Sequence, residues 1–143
     1  MILYLDTSSL VKAYLLESGW EAVNALREQA RIVATSLVAY AESRATLARS
    51  RRGGRLTPAQ FRMASATFEA DWNSFSARDV TVPLVRQAGD LAEKHVLRGF
   101  DAIHLASALT LQRELGEDVT FSAADGRLMS AASVEGLLVA VGS

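Results

Sequence analysis

The sequence contains no cysteine. That absence excludes a disulfide framework, a zinc–thiolate site and a thiol nucleophile, and it fits a reducing compartment. No apolar run approaches the roughly 20 residues of a membrane-spanning helix. The N-terminus has neither a basic n-region nor a small-residue cleavage site. The expectation is a soluble, cytoplasmic chain with no membrane partner. Lysine is scarce: of the 15 basic residues 13 are arginine, and 5 of those fall between Arg44 and Arg55. Arginine's planar fork suits phosphate better than an ammonium point charge does. A chain of formal net charge −1 with such a local cluster can still bind nucleic acid on one face. Hairpin signals, internal repeats, linkers and low-complexity segments are also missing.

What is present suffices for a core. The 143 residues are 50% hydrophobic and 22% charged, a globular composition, and the length predicts one domain spanning residues 1–143. The rest of the chain is organised around Ile2-Leu3-Tyr4-Leu5-Asp6-Thr7-Ser8-Ser9. The apolar run reads as a buried strand. Thr7, Ser8 and Ser9 are types that cap helices. Asp6 therefore stands at the carboxyl end of a strand, where open α/β sheets bind ligands. It reads equally as a ligand-facing acid and as a helix cap.

Strands are expected at residues 2–5, 31–35, 79–82, 118–122 and 137–141. Helices are expected at 8–16, 20–30, 37–50, 58–75, 83–97, 101–115 and 125–133. Thr57-Pro58-Ala59-Gln60 is a capping-box start. Val38, Ala41, Ala45 and Ala48 recur at helical spacing and predict the apolar side of the third helix. Strands alternating with helices argue for an α/β fold with a mainly parallel five-stranded sheet flanked by helices.

Four acids occupy comparable places. Asp6 follows the first strand, Glu42 lies in the second turn of the helix after the second, Asp101 opens an apolar helix, and Asp125 follows the fourth strand. Each has a plainer reading: Asp101 as a helix cap, Glu42 as a solvated residue, Asp125 before Gly126 as a turn. Together at one sheet edge they carry a cost. Two carboxylates about 5 Å apart repel by roughly 3 kcal/mol at an effective dielectric near 20. Such a cluster must bind a cation or take up protons. An all-oxygen donor set selects Mg²⁺ or Mn²⁺, which can activate water for phosphodiester cleavage. The repulsion also predicts that Asp101→Asn stabilises the metal-free protein.

Tyr4-Leu5-Asp6-Thr7-Ser8, Tyr40-Ala41-Glu42, Phe100-Asp101-Ala102-Ile103-His104-Leu105-Ala106 and the segment from Phe121 to Leu128 resemble the PIN-domain family. Within it they resemble the VapC-like toxins of bacterial toxin–antitoxin pairs. The motifs recur in order along the whole chain. Many members carry a hydroxyl residue two positions before the fourth acid, where this chain has Ala123. The resemblance implies a single PIN-like domain and an Mg²⁺-dependent ribonuclease. It also implies a small antitoxin that blocks the cleft, and commonly a homodimer. Asp6, Glu42, Asp101 and Asp125 would be the catalytic, metal-binding acids.

Arg49, seven positions after Glu42, shares its helix face and is expected to hold RNA phosphate. Arg51 and Arg52 extend that track, or solubilise a helix end. Thr7 and Ser8 are expected at the substrate beside Asp6. Lys12 and Arg98 are lesser candidates. His104 reads as a hydrogen-bonded core residue, and as a general base only second. His95 reads as solvated. Two rivals remain: a phosphatase using Asp6 as nucleophile, and a PIN-like domain that binds RNA or protein without cutting.

Overall fold

The structure is a computed structural model, described here for residues 1–140. Elements run β1 (Ile2–Leu5), α1 (Thr7–Leu10), α2 (Lys12–Leu15), α3 (Trp20–Gln29), β2 (Ile32–Ser36), α4 (Val38–Arg52), α5 (Pro58–Trp72), β3 (Ser76–Arg78). They continue with α6 (Val82–His95), α7 (Gly99–Leu115), β4 (Val119–Ser122), α8 (Gly126–Val134) and β5 (Leu138–Val139). The sheet order is β3-β2-β1-β4-β5 and every pairing is parallel. The expected α/β architecture with a five-stranded parallel sheet is therefore the observed one.

Alternation along β1 divides the core in two, because successive side chains of a strand point to opposite faces. Ile2 and Tyr4 pack with Leu84, Leu91, Leu105 and Leu128 of α6, α7 and α8. Leu3 and Leu5 face Leu10, Val23, Leu47 and Phe68 of α1, α3, α4 and α5. With both faces covered, β1 is buried at every position, as central parallel strands are.

Several boundaries depart from the expectation. The third strand is Ser76–Arg78, three residues before the expected 79–82. Thr81 caps α6 by accepting from Leu84 N, and Pro83 sits in its first turn, so Val82 is spent on the helix. The strand itself is set by pairing with Ala34–Ser36, since Ser-Ala-Arg has no strand signal of its own. The expected helix 8–16 is two short helices, the second capped by Leu16, whose φ of 51° turns the chain. Of the expected strand 137–141, residues 138–139 pair, and Val141 lies outside the described residues.

In α4 the buried positions are Ala39, Ser43 and Leu47, not the alanine stripe. Methyl groups carry too little area to orient a helix against Leu47. The helix also continues through Arg51 and Arg52 to its cap at Gly53. His95 is not solvated: its side chain is 13% exposed and its Nε2 lies 2.6 Å from Glu135 Oε2. Lys94 bonds the same oxygen.

Candidate active site

The carboxyl edge of the sheet opens into a cleft of about 400 Å³. Asp6, Glu42 and Asp101 line it, with Lys12, Arg49 and His104 among their neighbours. Three of the four expected acids are thus brought together from the loop after β1, from α4 and from α7.

Both readings of Asp6 hold at once. Its Oδ1 accepts from Ser9 N at 2.9 Å, the helix-cap bond, and from the Ser8 hydroxyl at 2.7 Å. Its Oδ2 has no hydrogen-bond partner among the described residues, though the side chain is only 4% exposed. Burial pushes its carboxyl up from the ordinary range. The His104 ring and the bonds from Ser8 and Ser9 pull the other way, and the charge of Asp101 adds to the rise.

Glu42 is held through one oxygen in the same manner. Its Oε1 accepts from the Thr7 hydroxyl at 2.6 Å and lies 3.1 Å from His104 Nε2. Partial burial pushes this carboxyl up. The hydrogen bonds from His104 and Thr7, with the field of the ring, outweigh that and leave it below its ordinary value. His104 is a core residue as expected, 2% exposed, but it is not idle. Nε2 faces two oxygens, those of Glu42 and Thr7, which assigns its proton there. Nδ1 then accepts from the Tyr4 hydroxyl at 2.9 Å. Burial pushes the Tyr4 phenol far up, and the charges of Asp6 and Glu42 add to it.

Asp101 is not a helix cap. The N-cap of α7 is Arg98, because the helix begins at Gly99, and Asp101 falls in the first turn. There a carboxylate is favoured by the helix dipole. Its Oδ2 receives Arg98 Nε at 3.4 Å. All three acids therefore have one oxygen tethered and one oxygen without a hydrogen bond.

Asp125 is set apart. It caps α8, accepting from Leu128 N at 3.0 Å, and the cleft wall is formed by Ala124 instead. Ser122 turns its hydroxyl inward onto Ser9. Thr7 and Ser8 spend their hydroxyls on Glu42 and Asp6. Ser8 also accepts from Ala124 N, tying the loop after β4 to the one after β1.

The arginine cluster splits. Arg49 lines the cleft, three residues beyond Thr46 on the face of Glu42. Arg51 lies over the Phe61 ring, and Arg44 bonds Glu69 and Tyr40. Arg52 is exposed at the end of α4, outside the cleft lining. Cations there suit the negative end of the helix dipole.

Two wall residues had little or no signal in the sequence. Lys12 is buried, 7% exposed, and its ammonium has no hydrogen bond or ion pair among the described residues. A Cβ on Gly19 would lie 3.2 Å from that Nζ. Gly19 also has φ 92°, so only glycine suits the position. Glu17 enters the cleft because the chain reverses at Leu16.

Among the described residues, no three Asp, Glu or His side chains are drawn together tightly enough to cage an ion. The half-tethered carboxylates fit a hard cation that keeps much of its water, rather than one stripped of it.

The chain belongs to the PIN-domain family, whose model matches residues 3–127, from β1 into α8, and so spans the segments carrying the acids. The chain is 36% identical over 110 residues to Ribonuclease VapC49 of Mycobacterium tuberculosis, covering 77% of this chain and 76% of that protein. The fold is similar to the crystal structure of M. tuberculosis VapC20, a sarcin–ricin loop cleaving toxin. The TM-score is 0.64 at 20% identity, covering 95% and 96% of the two chains. It is also similar to a chain of a toxin–antitoxin complex from Klebsiella pneumoniae, with a TM-score of 0.55 at 17% identity over 84% of each. No helix among the described residues is long and apolar enough to cross a membrane.

Proposed function

We propose that this protein is an Mg²⁺-dependent endoribonuclease, with Mn²⁺ able to replace Mg²⁺, and the toxin of a toxin–antitoxin pair. The observation that carries the chemistry is the half-tethered state of Asp6, Glu42 and Asp101 in one cleft. The naming of a 36% identical relative as a ribonuclease supports RNA as substrate.

Asp6 and Asp101 present their free oxygens as the main metal ligands. A bound ion supplies charge neutralisation at the phosphate and an acidified water. Glu42, kept ionised by Thr7 and His104, orients or deprotonates water or completes the metal shell. Asp125 acts from the rim, beyond Ala124. Arg49 and Lys12 face the phosphates, since both are cleft cations without a carboxylate partner among the described residues. A phosphatase is disfavoured: it would want a second acid two residues after Asp6, and Ser8 stands there with its hydroxyl committed to Asp6.

The partners proposed are a small antitoxin that covers the cleft and a second copy of the chain, in the cytoplasm. The fold's likeness to a chain of a toxin–antitoxin complex supports the first. Purified protein incubated with a mixed RNA pool should cut it in Mg²⁺ and not in EDTA. Asp6→Asn and Asp101→Asn should abolish cutting, and Asp125→Asn should lower it about tenfold, within the range of a second-sphere group. Cleavage that persists in EDTA overturns the mechanism. Expression alone should arrest growth, and co-expression with a short adjacent gene product should relieve it.

A further inference from the structure

A second hollow of about 580 Å³ adjoins the acid cleft, lined by Glu42, Arg98, Gly99, Phe100, Asp101 and Ile103. Glu42, Arg98 and Asp101 also line the acid cleft. The two hollows therefore share a wall along the first turn of α7. Their walls differ in kind: the new wall is the apolar surface of Phe100 and Ile103.

Phe100 is the anomaly. On the same helix Ala102 and Leu105 are both 0% exposed, yet Phe100 is 57% exposed. An aromatic ring left more than half in water forgoes much of its burial, so the fold gains little from it there. Arg98 stands at the seam between the hollows, 84% exposed, beside Asp101.

We infer that this hollow is a nucleobase subsite. It takes the base of a nucleotide next to the scissile phosphate by stacking on Phe100, while Arg98 meets the phosphate between. The inference rests on the ribonuclease reading above and adds a base-binding residue to it. Three observations favour a single-stranded nucleotide as the occupant. The volume is that of a small-ligand site. An exposed aromatic ring beside an arginine is the pairing that grips unpaired bases and their backbone. The Phe100 wall also adjoins the acids, since Glu42, Arg98 and Asp101 line both hollows. Stacking tolerates every base, so this position should show weak base preference.

The test uses single-stranded RNA oligonucleotides with Ca²⁺ in place of Mg²⁺, the RNA verified intact by gel, and an abasic position walked along the strand. Phe100→Ala should weaken binding about 5–100-fold, the range for one stacked base, and Phe100→Tyr should restore it. One abasic position should cost the wild type the same factor and cost Phe100→Ala nothing further. In Mg²⁺ the substitution should raise KM more than it lowers kcat. Equal RNA affinity in Phe100→Ala and wild type, with cleavage intact, overturns the subsite and leaves the ribonuclease reading standing. A wild type that neither binds nor cuts RNA overturns both. Unchanged RNA binding with loss of antitoxin relief, or with conversion of a dimer to monomers in sedimentation, assigns Phe100 to a protein contact and overturns the subsite.

Discussion

His104 Nε2 lies 3.1 Å from Glu42 Oε1, so a buried ring of α7 fixes the orientation of an acid on α4. Through Nδ1 the same ring is anchored to Tyr4 of the central strand. The chain Tyr4–His104–Glu42 transmits the rigidity of the core to a carboxylate at the cleft. Thr7 grips the same oxygen from the other side.

His104→Ala should therefore cost about 1–3 kcal/mol of stability, because the buried Tyr4 hydroxyl and Glu42 lose their partner. Glu42 sits below its ordinary value. Its contribution is present above its unfolded value of about 4.3 and is lost as pH falls through the lowered one. In His104→Ala, with the burial of Glu42 less opposed, that acid loss should become smaller. Urea denaturation of both proteins from pH 3 to pH 7 checks this. An unchanged acid limb would show that the ring does not hold Glu42.

Burial also places electrostatic strain on Asp6, to which the charge of Asp101 adds. Asp101 is 21% exposed and has Arg98 beside it, whereas Asp6 is 4% exposed with its carboxyl pushed up by burial. A raised acid binds its proton more readily in the folded state. Its charge therefore opposes folding at neutral pH, and that opposition fades as pH falls. Asp6→Asn keeps an oxygen for the Ser9 cap bond, since Asn caps about as well as Asp. It should raise the stability of the metal-free protein on the order of 1–3 kcal/mol and remove the stabilisation that Mn²⁺ gives the wild type. Asp101→Asn should lose the metal response with a smaller gain in EDTA. Thermal melts in EDTA and across a manganese series read both effects.

The arginines should separate in salt titrations of RNA binding. Arg49→Ala and Lys12→Met remove cleft cations, so each should weaken binding and lower the salt slope by about one phosphate's worth. An Arg51/Arg52 double alanine variant should leave the slope nearly unchanged, because Arg51 is engaged over Phe61 and both serve the end of α4. A slope that falls equally in all three would extend the RNA track along α4.

A fourth prediction lies away from the cleft. Hydrogen bonds from Lys94 and His95 hold the Glu135 carboxyl below its ordinary value, joining α6 to the end of α8. Glu135→Gln should lower stability by at most about 1 kcal/mol at neutral pH, the scale of an exposed ion pair. The stability Glu135 adds is present above about pH 4.3 and disappears as pH falls through its lowered value. Melting curves of variant and wild type should therefore separate at pH 7 and converge at the acid end.

The sequence by itself determined most of the elements and the place of the acids along the chain. Helix periodicity, the Thr57 capping box and the apolar run before Asp6 are local signals, and a parallel sheet follows once strands alternate with helices. The spacing of Glu42 and Arg49 placed both on one helix face because that spacing is a property of the helix alone. Tertiary structure decided the rest. β3 exists through its partner β2, and α4 turns its Leu47 face inward because of what packs on it. Asp125 stands off the cleft because the β4–α8 loop presents Ala124. His104 became part of the site through a contact with Glu42, 62 residues away in the chain. No local pattern encodes such pairings, since they depend on where two elements meet in space.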